Sequence, residues 1–157
     1  MQLMLSYFVI PAIALLTASL GGFLTSSSVN TWYATIAKPA WTPPGSFIGA
    51  VWTVLYILAA ASALIVWNTF PRNDRFWWII GLFLVNAALN VLWSYVFFGR
   101  HWIGTAIFEA VLLGLSVLAL MLLTWTQSKT ASLLLLPYLL WVSFATYLTY
   151  SVWALNK

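Results

Sequence analysis

Three stretches of this sequence carry aromatic or polar side chains at helical spacing. Ile48, Trp52 and Tyr56 recur every four residues, as do Asn86, Asn90 and Ser94 in "NAALNVLWS", with Trp93 beside Asn90. Trp141, Ala145 and Thr149 form a third set, a small residue between two larger ones. Spacing of i, i+4, i+8 places each set on one helix face. Aromatic walls, a gap left by a small residue and a few orienting amides suit a flat, mostly apolar ligand. The asparagines serve equally well as glue that hydrogen-bonds a neighbouring helix. The residues alone leave both readings open.

Other chemistry lacks its residues. There are no cysteines, hence no disulfides and no thiolate metal sites. The one histidine, His101, adjoins Arg100, which rules out a buried two-histidine haem within one chain. No Ser-His-Asp constellation, carboxylate pair or Gly-rich phosphate loop is present. The six basic residues are scattered singly, so a net charge of +4 leaves no nucleic-acid footprint.

The elements that must position these stripes follow from composition. Of 157 residues, 64% are hydrophobic and 5% charged, against roughly a quarter charged in soluble domains. Eight charges cannot cover a soluble fold: Lys38, Arg72, Asp74, Arg75, Arg100, Glu109, Lys129 and Lys157. Between them lie uncharged runs long enough to cross about 30 Å of hydrocarbon, which takes about 20 helical residues. The expected fold is all-α: one integral membrane domain over 1–157, with spans near 3–24, 47–67, 76–98, 102–125 and 132–153. Its expected location is a bacterial cell membrane. No Lys or Arg precedes the first run, so it is read as a span and not as a cleaved signal. No lysine falls inside a span, which removes a retinal Schiff base. Basic residues divide three against three between the two sides, so the positive-inside rule gives no orientation.

Only the first connector, about 26–45, is long, and it contains "KPAWTPPG". Asn30 or Thr31 is placed to cap a short helix over 31–37, with Trp32, Tyr33 and Ile36 at one-turn spacings. Lys38 suits the C-terminal end of that helix and Pro39 stops it. Thr42 is a candidate N-cap for the second span, and Pro43 suits its first position. Three prolines stiffen the segment. It is expected to be a structured lid over one end of the bundle, or else an interfacial aromatic belt.

At these residues the sequence strongly resembles a known family. "WYATIAKPAWTPPGSFIGAVWTVLY", "NAALNVLWSYVFF" and "PYLLWVSFATYLTYSVW" are similar to the tryptophan-rich sensory protein / translocator protein family (TspO/MBR, once called the peripheral benzodiazepine receptor). The resemblance covers nearly the whole chain, in order and with matching spacing. It implies a five-helix bundle, often dimeric, that binds protoporphyrin IX, haem, synthetic benzodiazepine-site ligands and, in animals, cholesterol. The family's pocket falls on Tyr33, Pro43, Ile48, Trp52, Tyr56, Asn90, Trp93, Trp141, Ala145 and Thr149; Asn86 joins it from the stripe on the third span. No covalent cofactor is implied; porphyrin or haem is a ligand, and the partners are membrane lipid and a second copy of the chain.

Two features depart from that pattern. The sterol pattern of the animal members fails here, because six residues separate Tyr150 from Lys157, one too many. Leu92, Tyr95 and Arg100 fit it, but the pattern is common by chance. Glu109 lies inside the fourth span, beside a small-residue face of Ala106, Ala110 and Gly114. It is expected neutral or hydrogen-bonded in a helix interface. Three functions follow: a tetrapyrrole receptor or sensor, a light-dependent porphyrin-degrading enzyme using Trp52 and Trp141, or a transporter of tetrapyrrole or lipid. The receptor is the primary expectation.

Overall fold

The computed structural model describes the backbone of residues 2–157 and the side chains of 5–157. The described residues are helical, without strands: α1 (Gln2–Ser26), α2 (Trp32–Thr35), α3 (Gly45–Thr69), α4 (Asp74–Ser94), α5 (Ile103–Trp125), α6 (Lys129–Leu133) and α7 (Leu136–Leu155). A π-helical turn, Tyr95–Gly99, continues α4. Five stretches are long and apolar enough to span a membrane: Leu5–Ser26, Gly45–Thr69, Asp74–Gly99, Ile103–Trp125 and Lys129–Leu155. Phe23, Trp78 and Phe108 point outward, each at least 74% exposed, as suits a bundle whose solvent is hydrocarbon. This is an integral membrane bundle of five spanning segments.

Short connectors make α5 a close antiparallel neighbour of α4 and of α7, whereas α3 and α4 barely meet and α1 packs against both. Arg75, at the start of α4, donates to the Leu123 carbonyl (2.6 Å) and to Thr126 Oγ1 (2.8 Å) at the end of α5. α5 is the most enclosed span and packs most closely on α7. The small face permits this approach. A Cβ at Gly104 would sit 3.3 Å from Trp153 Nε1, and one at Gly114 would sit 3.5 Å from Val142 Cγ1. Ala106 and Ala110 are buried in the same face. Glu109 is 5% exposed, and neither of its carboxyl oxygens has a hydrogen-bond partner among the described residues. The interface position is as expected.

Three local expectations are corrected. The short helix covers only Trp32–Thr35, and Thr31 does not cap it, because its hydroxyl points back to Ser27 O (3.4 Å) and Ser28 O (3.3 Å). Nor does Thr42 cap the second span. Its hydroxyl bonds Pro39 O at 2.7 Å, closing a turn, so α3 begins at Gly45 with Pro44 at the N-cap and Pro43 outside. The fifth span is not continuous over 132–153. It breaks after Leu133 and resumes at Leu136, with Pro137, which lacks an N–H, in the first turn of α7. Side chains hold the break: Ser62 donates to Ala131 O (2.7 Å) and Ser132 to Met121 O (2.9 Å).

The long connector lies against one end of the bundle through three sets of contacts. Ser28 donates to Phe98 O at 2.7 Å, Trp32 stacks on His101 at 4.1 Å, and Tyr33 meets Phe97 and Phe98 edge-on. The Lys38 ammonium donates to Tyr33 O (2.6 Å) and Ile36 O (3.0 Å), terminating α2 as expected. Trp41 stacks on Tyr147 of α7 at 5.5 Å. Asn156, just past α7, pairs twice with Ala37, accepting from its N–H (3.0 Å) and donating to its carbonyl (2.8 Å). Asn156→Ala removes both bonds. Two partly solvated bonds are together worth about 1 to 1.5 kcal/mol, so hydrogen–deuterium exchange at the Ala37 amide should speed up about tenfold, with amides of α5 unchanged.

Candidate functional site

Beneath the connector, the spanning helices enclose a cavity of about 600 Å³. Its aromatic wall is supplied by Tyr33 of the connector, Trp52 of α3, Trp93 of α4, Phe97 and Phe98 of the π turn, and Trp141 of α7. α1 contributes Gly21 and Gly22, which add no side chain, and α5 contributes Ala110 and Leu113. Trp93 stacks flat on Phe97, with centroids 4.9 Å apart and planes 9° apart, so this wall is a stiff two-ring plate. Burial raises the pKa of the Tyr33 phenol above its ordinary value.

Polar groups at the cavity floor engage one another. Tyr56 donates to Asn90 Oδ1 at 2.8 Å, and Asn90 Nδ2 donates to the Tyr138 hydroxyl. Tyr138 donates to Asn86 Oδ1 (3.0 Å), Asn86 Nδ2 to Ser116 Oγ (2.8 Å), and Ser116 to Leu113 O (2.7 Å). This relay ties α3, α4, α5 and α7 together. Trp52 sits on it, 5.8 Å from the Tyr56 ring and edge-on to Tyr138 at 6.0 Å. The Thr149 hydroxyl likewise turns to its own helix, donating to Ala145 O at 2.8 Å. The Trp141 indole N–H is itself buried and has no partner among the described residues. The cavity therefore offers flat, mostly apolar walls over an internally bonded floor. No cluster of His, Cys, Asp or Glu that could hold a metal ion occurs among the described residues.

Comparison with known proteins bears on this architecture directly. Residues 8–154 match the TspO/MBR family. This chain belongs to the TspO/MBR family. It is 37% identical over 127 residues to the tryptophan-rich protein TspO of Bacillus cereus, covering 81% of this chain and 82% of that one. The TspO of Archaeoglobus fulgidus is 39% identical over 137 residues, 87% of each chain. The translocator protein of Sus scrofa is 36% identical over 155 residues, 94% of this chain and 91% of its own.

Most residues that the TspO/MBR resemblance singled out line this one cavity: Tyr33, Ile48, Trp52, Tyr56, Asn90, Trp93, Trp141, Ala145 and Thr149. Pro43 does not line it, because α3 starts at Gly45 and leaves Pro43 in the connector. Asn86 does not line it either. It is a member of the relay, bonded to Tyr138 and Ser116, and borders a second cavity. Sequence reasoning missed Tyr138, the central member of the relay, and the Phe97–Phe98 wall. Tyr138 had a signal, since it precedes Trp141 by three residues on the same helix face.

Asn90→Leu would leave the Tyr56 hydroxyl without its acceptor, while Tyr138 keeps its bond to Asn86. At about 1 to 3 kcal/mol for a buried unpaired group, the variant should lose about 1 to 3 kcal/mol, read as thermal or denaturant unfolding in detergent. Adding Tyr56→Phe should cost less than its effect in the wild-type background, since the two changes share one bond.

Proposed function

We propose that this TspO/MBR protein is a membrane receptor or sensor for porphyrins, such as protoporphyrin IX or haem, and for related flat apolar ligands. The ligand lies in the large cavity with the connector as its lid. The observation that carries this reading is the convergence of Tyr33, Trp52, Trp93 and Trp141 on one mostly apolar cavity, which offers flat faces to a ring. The volume falls in the ordinary range for small-molecule sites, about 300 to 1,000 Å³. His101 stacks on Trp32 outside the lining, so the ring is held by its faces and edge rather than through a histidine–metal bond. The same reading expects a homodimer in a bacterial cell membrane, which cross-linking in native vesicles would reveal.

A dark absorbance titration with protoporphyrin IX tests this directly. A saturable shift of the porphyrin band is expected, and Trp141→Phe should weaken binding about three- to tenfold, equivalent to about 0.7 to 1.4 kcal/mol of lost stacking and hydrogen bonding. The same sample is then illuminated. Porphyrin loss with a new product that needs Trp52 and Trp141 would replace the receptor by an enzyme, and protein-dependent flux into sealed vesicles would replace it by a transporter. A titration without saturation removes the tetrapyrrole reading.

A further inference from the structure

A second cavity, of about 280 Å³, lies across the relay from the first, bordered by α1, α3 and α4. α3 and α4 scarcely touch each other, whereas α1 packs on both and closes the gap between them. The walls are mostly small or aliphatic, with Ala14 on α1, Ala59, Ala60 and Ala63 on α3, and Ala87 on α4, joined by the rings of Trp67 and Phe83.

Every side-chain hydroxyl and amide along this cavity is already bonded within the protein. Tyr56, Asn90, Tyr138 and Asn86 belong to the relay, and Thr17 donates to Ile13 O at 2.9 Å. An occupant thus finds hydrocarbon contacts and nothing to orient a polar group. The length of the cavity is informative as well. The lining runs from Tyr56 to Trp67 on α3 and from Ile80 to Asn90 on α4, about 15 to 17 Å at the helical rise of ~1.5 Å per residue. That is about half of the ~30 Å hydrocarbon thickness, the depth of one leaflet and so of one acyl chain. At the outer end, Trp67 carries the Arg72 guanidinium over its ring at 4.5 Å, placing a cation at the membrane edge where lipid phosphates lie.

We propose that this slot is a site for a single acyl chain of a bilayer phospholipid, with the chain terminus against the Tyr56–Asn90–Tyr138 relay and the phosphate near Arg72. Left empty, the slot forfeits the dispersion contacts of its alanine lining, and the surrounding bilayer supplies chains at high local concentration. The site is independent of the porphyrin reading, since its lining meets the first cavity only at Tyr56 and Asn90.

The test uses the full chain in nanodiscs of phosphatidylcholine and phosphatidylglycerol, doped with a phosphatidylglycerol bearing a diazirine at the end of one acyl chain. After irradiation, adducts are mapped by mass spectrometry. Wild type should carry adducts at Ala59, Ala60 and Ala87, deep in the slot. Ala60→Phe, which fills it, should reduce them at least fivefold while leaving adducts on the outward-facing Phe108 and Leu112 of α5 unchanged. Ala14→Leu narrows the slot from α1 and serves where the larger change unfolds the bundle. Adducts confined to outward faces in wild type, or slot adducts undiminished in folded variants, would overturn the proposal.

Discussion

The relay from Tyr56 to the Leu113 carbonyl crosses α3, α4, α7 and α5 at the depth where the bilayer offers no water. Helices in lipid gain little from apolar contact alone, because the surrounding chains are as apolar as leucine. A buried amide has no such indifference, and must find a partner on another helix. By distributing two asparagines, two tyrosines and a serine over four helices, the protein fixes their rotation about their own axes. Those rotations turn Trp52, Trp93 and Trp141 toward one space. The relay is thus both the glue and the floor of the cavity, and the two readings of the asparagines describe the same bonds.

The end of the bundle opposite Arg72 is organised differently, by aromatic contact and by helix ends. The π turn stacks Phe97 on Trp93 and presents Phe97 and Phe98 to Trp32 and Tyr33 of the connector, while Asn156 and Tyr147 hold the connector from the side of α7. These contacts lie near the membrane surface, where a broken bond can turn to water. The floor has no such outlet. That difference gives the site a rigid base and a more readily opened cover.

How much of this was legible in the sequence depended on the range of the interaction. The five spans and the stripes on α3 and α7 follow from hydropathy and a four-residue period, and both survive folding because one helix suffices to set them. The stripe on α4 was legible as a face but not as a site. Asn86 and Ser94 are eight residues and about 12 Å apart, so the two ends of that face meet different neighbours: Ser116 and Tyr138 at one, the large cavity at the other. Side-chain caps were misread where Thr31 and Thr42 had carbonyls of their own turns within reach, a competition that preference rules do not resolve. The break after Leu133 falls within a run of leucines, and only Pro137 hints at it.

The π turn at Tyr95–Gly99 differs from α-helix by one residue in its hydrogen-bonded ring, as the bond from Arg100 N to Tyr95 O shows. One residue of helix is also about 100° of rotation. The inward aim of Phe97 and Phe98 is therefore a matter of counting: the segment holds one residue more than a regular helix of its length. Deleting a single residue there would leave the hydropathy of the span almost unchanged and its helix continuous. It would also rotate the aromatic pair toward lipid and strip the connector of the surface on which Trp32 and Tyr33 rest. Chain length at this point, as distinct from side-chain chemistry, couples the membrane-buried part of the protein to its cover.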